Sequence, residues 1–123
     1  MKEKLKKLND YEWELDKTVR DKMRVKAKII ANTKILQAIE DDAIQQLTNV
    51  ACLPGVIEPV IGLQDMHWGY GLPMGAVSAF DEKEGIISSG LCGFDINCGV
   101  NSIRTNLTYS EIKNKLKELV SSL

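Results

Sequence analysis

Glycine and proline are partitioned along this chain, and the partition limits what each part can form. The first 53 residues contain neither, whereas all nine glycines and all three prolines fall between Pro54 and Gly99. Proline interrupts helix and sheet hydrogen bonding, and glycine admits turns closed to other residues. Elements before residue 54 are therefore free of glycine and proline breaks, with turns, bends and close backbone approaches expected after it.

Local patterns fill in this division. "MRVKAKIIA" (23–31) alternates apolar and basic residues, as a half-buried strand does. Asn32 is placed to cap a helix through "TKILQAIED", and "AIQQLTNVACL" reads as a second helix ended by Pro54-Gly55. "GVIEPVIGL" (55–63) contains Pro59, so it is expected to be an edge strand or an irregular one. "GAVSAF" and "GIISSGL" flank "DEKE" and predict a hairpin, and "NSIRTNLT" (101–108) alternates again. Thr108-Tyr109-Ser110-Glu111 has the form of a capping box, after which Ile112, Leu116, Leu119 and Val120 share one helical face. The last residues, "VSSL", carry no stop signal, so that helix is expected to fray or to continue in a longer natural chain. The sum is an α+β fold with a strand-rich stretch from 55 to 107.

Composition excludes several classes of function. At 123 residues and 44% hydrophobic, the chain supports one modest core. Sixteen basic against 17 acidic residues leave no global field for a polyanion, so nucleic-acid contact requires a local patch or a further segment. The basic opening "MKEKLKK" is expected to be a solvated terminus. It runs into "LNDYEWELDK" and not an apolar stretch, so no secretory signal is expected, and no run approaches the roughly 20 apolar residues of a membrane span. Cys52, Cys92 and Cys98 form an odd set without a Cys-x-x-Cys pair. This argues against a disulfide framework and for a reducing, cytoplasmic setting.

Chemistry concentrates between residues 64 and 100. In "CGFDINCGV" (92–100), Asp95 offers a hard donor and Cys98 a softer one, and Gly93 and Gly99 let the backbone bend so that both converge. The same spacing also fits a turn in which Asp95 caps and Cys98 is buried. His67, the sole histidine, follows Asp65 by two residues, which on a strand puts both on one face. Such an aspartate can fix an imidazole or orient a histidine across a pocket; the bland reading is a surface turn with Trp68 and Tyr70 packed over it. "GYGLPMGAV" lacks the Lys-Ser/Thr ending of a phosphate-binding loop and reads as a bend for close backbone approach. A zinc site of Cys92, Cys98, His67 and Asp95 is chemically possible but matches no common zinc spacing.

Taken together, "LQDMHWGYGLPMGAVSAFDEKEGIISSGLCGFDINCGVNSIRTNLT" resembles the N-terminal signature of the RtcB-type tRNA-splicing ligases, and "LTNVACLPGVIEPVIGLQD" and "MRVKAKIIA" fit as well. The resemblance divides the chain into a charged segment, 1–22, and a matching part, 23–123, of one N-terminal ligase fragment. It implies an enzyme that joins RNA 2′,3′-cyclic phosphate or 3′-phosphate ends to 5′-hydroxyl ends, using GTP and two Mn²⁺ ions. A histidine takes up GMP from GTP and passes it to the RNA 3′-phosphate; the 5′-hydroxyl then attacks and expels GMP. Implied partners are tRNA halves and the small activator archease.

By the same resemblance, Asp95 and Cys98 fall on manganese ligands, the sulfur bridging two ions, and Asp65 falls on the acid that orients the guanylylated histidine. His67 falls on the histidine of the same block, and Asn97 shapes the ligand loop. Gln64 replaces a proline, Cys92 occupies an aliphatic position, and Asn101 stands where the family has arginine. The remaining histidines and most of the GTP pocket are expected downstream, in a missing C-terminal portion, so this chain is expected to be inactive alone. Two other readings are a stand-alone metal- or partner-binding module and one half of a split ligase.

Overall fold

The computed structural model describes residues 1–93 and 99–122. Five strands form one mixed sheet in the order β1-β2-β3-β4-β5: Lys6–Lys7, Glu12–Leu15, Ala27–Ile30, Val56–His67 and Met74–Phe80. β3 and β4 are parallel and the other neighbours antiparallel. The parallel pair needs a crossover, which two helices provide: α1 (Thr33–Ala38) and α2 (Asp41–Val50). With the sheet and helices both present, the α+β expectation holds.

The expected alternation from 23 to 31 is present residue by residue. Met23, Val25, Ala27, Ile29 and Ala31 are buried, and the residues between them are not. The Asn32 side chain accepts from the Ile35 N–H at 2.9 Å, as a cap should. α1 stops at Ala38, short of the expected end, because Ile39 turns extended and buries its side chain in the core. α2 then buries Ala43, Ile44, Leu47, Thr48 and Val50, the stripe of a one-sided helix. Its stripe meets Val60 and Met66 of β4, with Leu15 and Ile29 completing the core. Helices cover one face of the sheet.

One expectation is corrected and two are sharpened. The basic terminus keeps Lys4, Lys6 and Lys7 exposed, as a solvated terminus does, but it is also tied down: Lys6 pairs with Glu14, Lys7 lies over the Trp13 ring, and Met1 and Leu5 pack against the core. Of the two alternatives for the strand containing Pro59, the irregular one holds: it lies between β3 and β5, with a register shift between Ile57 and Ile61 and a cis Glu58-Pro59 bond. The hairpin partner of β5 is β4, not "GIISSGL". After β5, Gly85 N–H bonds Asp81 O at 2.9 Å and turns the chain away, and Ser89–Leu91 forms a single 3-10 turn.

"NSIRTNLT" is exposed throughout and pairs with no strand among the described residues, since alternation without a facing edge gives no ladder. The capping box at Thr108 does form: the Glu111 carboxylate accepts the Thr108 N–H at 2.7 Å. Behind it the helix is split into α3 (Tyr109–Ile112), a 3-10 turn at Lys113–Lys115 and α4 (Leu116–Ser122). Ile112 and Leu116 are half-buried, but Leu119 and Val120 are exposed.

Candidate active-site end of the sheet

β4 carries Asp65 and His67 to one end of the sheet. Both are exposed and Met66 between them is buried, so the two share the face expected from period-two geometry. The His67 Nδ1 lies 3.0 Å from the Asp65 carbonyl oxygen. A carbonyl only accepts, so Nδ1 is the donor in this contact. The Asp65 carboxylate itself meets no hydrogen-bond or ion-pair partner among the described residues. It is therefore free to orient a group brought to it.

The glycine-rich bend serves close approach, as expected. Gly75 has φ of +70°, and a Cβ there would lie 2.9 Å from both the Asp65 Oδ1 and the Met66 Cα. No side chain fits between the strands at this point, so β5 lies directly against Asp65. Trp68 and Tyr70 do not pack over the turn: they are exposed. The turn is held from the other side. Gln46 of α2 accepts from the Gly69 N–H at 2.7 Å and donates to the Gly69 carbonyl at 2.8 Å. Asn49, one turn further along α2, donates to the Gly71 carbonyl at 2.5 Å and accepts from Arg20. Sequence reading missed Gln46 and Asn49, because amides beside a helix's apolar stripe look like ordinary solvated positions.

The segment carrying Asp95 and Cys98 lies outside the described residues, and so does Asn97; its flanks are described. Gly93 and Gly99 have φ of +87° and +62°, the left-handed bends expected of them. A Cβ on Gly93 would stand 3.5 Å from the Met74 Cε, and Met74 pairs with His67. Gly93 thus lies near the end of the sheet that carries His67. Cys92 is exposed, with its Sγ 3.7 Å from the Ser88 carbonyl oxygen, and borders an open hollow with Ala76, Phe80 and Leu91. Gln64 is exposed beside Asp65, and Asn101 donates to the Gly99 carbonyl at 3.5 Å. No group of three metal-binding side chains is gathered among the described residues. The donor chemistry of Asp95 and Cys98 fits two positions of a metal site, and the described residues do not complete it.

The approach to this segment is set by the turn after β5. The Asp81 carboxylate accepts from the N–H groups of Glu84 and Lys83 at 2.9 and 2.8 Å, and these bonds hold its pKa below the usual carboxylate value. A lowered folded pKa means that the turn gains from Asp81 above the ordinary carboxylate range. That gain is lost as pH falls through the lowered value. Amide exchange at Lys83 and Glu84 should accelerate on acidification beyond the intrinsic pH trend, and Asp81→Asn should remove that extra dependence.

Fold and site together define an α+β unit in which the candidate side chains of Asp65 and His67 sit at one end of a five-stranded mixed sheet. The chain belongs to the RtcB family: the family's sequence model, described as tRNA-splicing ligase RtcB, matches residues 46–123. It is 44% identical over 119 residues to a tRNA-splicing ligase RtcB of Archaeoglobus fulgidus, covering 97% of this chain and 25% of that protein. A Thermococcus kodakarensis protein of the same name is 46% identical over 120 residues, with 97% and 25% covered. One from Methanococcus maripaludis is 41% identical over 123 residues, with 100% and 26% covered. The chain thus spans about a quarter of the length of these relatives. No described helix is long and apolar enough to cross a membrane.

Proposed function

We propose that this chain is the N-terminal part of a GTP- and Mn²⁺-dependent RNA ligase that joins 2′,3′-cyclic phosphate or 3′-phosphate ends to 5′-hydroxyl ends. The observation that carries this is the family match over residues 46–123, which spans the Asp65, His67 and Asp95–Cys98 motifs in one block. tRNA halves are the proposed substrate class, archease a proposed partner, and the cytoplasm the proposed setting.

In this reading Asp65 orients the histidine that carries GMP. Its carboxylate is exposed, unbonded among the described residues, and backed by β5 at Gly75, so it is held without being consumed. Asp95 and Cys98 would hold manganese, which supplies charge neutralisation for the transferring phosphoryl group. A carboxylate and a thiolate are too few for a closed site, and the sole histidine, His67, lies on the Asp65 strand. The chain is therefore incomplete as an enzyme, and the other ligands and the guanylylated histidine come from the remaining length of the ligase.

Incubation with radiolabelled GTP and Mn²⁺ tests this reading. The expected result is no covalent adduct on the chain alone. An adduct should form on the complementing polypeptide once the remaining portion of a relative is added, with at least a tenfold loss for Asp65→Ala (about 1.4 kcal/mol). A guanylate adduct on the isolated chain overturns the incomplete-site reading, and failure of every complementing portion counts against the ligase assignment.

A further inference from the structure

Trp68 and Tyr70 flank Gly69 in the turn between β4 and β5, with 57% and 80% of their surfaces exposed. Large rings on a loop tip are ordinarily mobile, but this turn is not free to move. Gly69 is bonded at both its N–H and its carbonyl by Gln46, and Gly71 is bonded by Asn49, whose own oxygen is taken by Arg20. The rings are thus presented from backbone anchored to a helix, an arrangement that lowers the entropy lost on binding.

The surroundings of Trp68 specify a ligand. An open hollow of about 310 Å³ borders the indole, lined also by Asp42, Gln45, Gln46, Asn49 and Gly71. Gln46 and Asn49 are engaged with the turn, which leaves the exposed Asp42 carboxylate and Gln45 amide to face a ligand. Among the described residues, no lysine or arginine lines the hollow. An aromatic wall beside one acceptor and one donor–acceptor amide suits a flat ring with N–H donors at its edge. It does not suit a phosphate, which Asp42 repels, or an apolar protein segment, which would bury Asp42 and Gln45 unpaired.

We infer that the clamped turn at Trp68 is a stacking platform for one unpaired nucleobase of single-stranded RNA, with the base edge read by Asp42 and Gln45. The choice of RNA over other flat ligands rests on the ligase reading; the stacking geometry does not. The base enters the hollow and its phosphates stay outside, so this contact adds affinity without using the field that the near-neutral chain lacks.

Titration of the full chain with a short unstructured 5′-hydroxyl oligoribonucleotide, followed by the indole Nε1–H resonances, tests the inference without GTP, Mn²⁺ or ligation. Trp13 is an internal reference, since its Nε1 donates to the Ala31 carbonyl at 2.9 Å. The expected result is movement of the Trp68 resonance only, with little dependence on salt, and no movement with an abasic oligomer. Trp68→Ala should weaken binding about tenfold, and Gln46→Ala should weaken it while leaving the Trp13 resonance in place. A Trp68 resonance unmoved by the oligonucleotide overturns the inference. So does binding that collapses with salt and survives Trp68→Ala, because that pattern belongs to phosphate contacts at the lysine-rich start. Absence of a guanylate adduct on every complementing portion, with stacking intact, would instead count against the ligase reading alone.

Discussion

Gly55→Ala is expected to be among the most destabilising single substitutions in this chain. Gly55 immediately precedes β4 and has φ of +67°, which costs an alanine on the order of 1 kcal/mol by itself. The new Cβ would also overlap the Gly85 backbone and stand 2.5 Å from the Glu84 carbonyl oxygen. These atoms belong to main chain, so no rotamer change relieves the clash. The bond from Asp81 N–H to the Gly55 carbonyl, 2.8 Å, must break or stretch as the turn is pushed outward. A total loss of about 3 kcal/mol follows, readable as a fall in the urea midpoint with the slope unchanged. The amides of 81–85 should shift most. Because that turn leads directly to Ser88–Cys92, the substitution should also disturb the approach to Asp95 and Cys98. An unfolding midpoint equal to that of the parent chain would contradict the close approach at Gly55.

Leu47→Ala should cost about 2–5 kcal/mol, a large share of the stability of a domain this size. Leu47 is fully buried on α2 and faces β4 where Gly62 leaves room for it: a Cβ on Gly62 would lie 3.2 Å from the Leu47 Cδ2. Met66 folds over the same glycine, its Sδ 2.6 Å from that Cβ position. Removing the leucine opens a cavity between helix and strand that Met66 fills only in part. Chemical denaturation of Leu47→Ala and Leu47→Met separates volume from chemistry, since the methionine should cost less than about 1.5 kcal/mol. Leu47 lies between Gln46 and Asn49, so the alanine variant should also loosen the turn at Gly69–Gly71. Equal stabilities for the two variants would show that the site collapses without a cavity.

Much of the fold was legible locally. The alternation of Met23 to Ala31, the Asn32 cap and the Thr108 capping box each depend on neighbours a few residues apart, and each is present. Pairing was not legible. "GIISSGL" and "NSIRTNLT" have strand-like composition, but a strand exists only where another edge meets it. Pro59 left open an edge strand or an irregular one because it lacks an N–H, and the irregular register between Ile57 and Ile61 accommodates it inside the sheet. The site shows the same division. That Asp65 and His67 share a face follows from a two-residue spacing, whereas the clamp on Gly69 and Gly71 spans more than 20 residues of chain. No spacing rule reports such a contact.

By itself the sequence determined the family, through the resemblance of residues 63–108 to its signature, and the α+β class, through periodicity and the glycine partition. Only the tertiary structure decided which strands pair, that α2 secures the Trp68 turn, and that Gly75 lies against Asp65. The physical reason is range. Backbone preference and amphipathic period act over a few residues and leave a mark in local composition. Hydrogen bonds such as Gln46 to Gly69 arise only after the sheet and helices have packed.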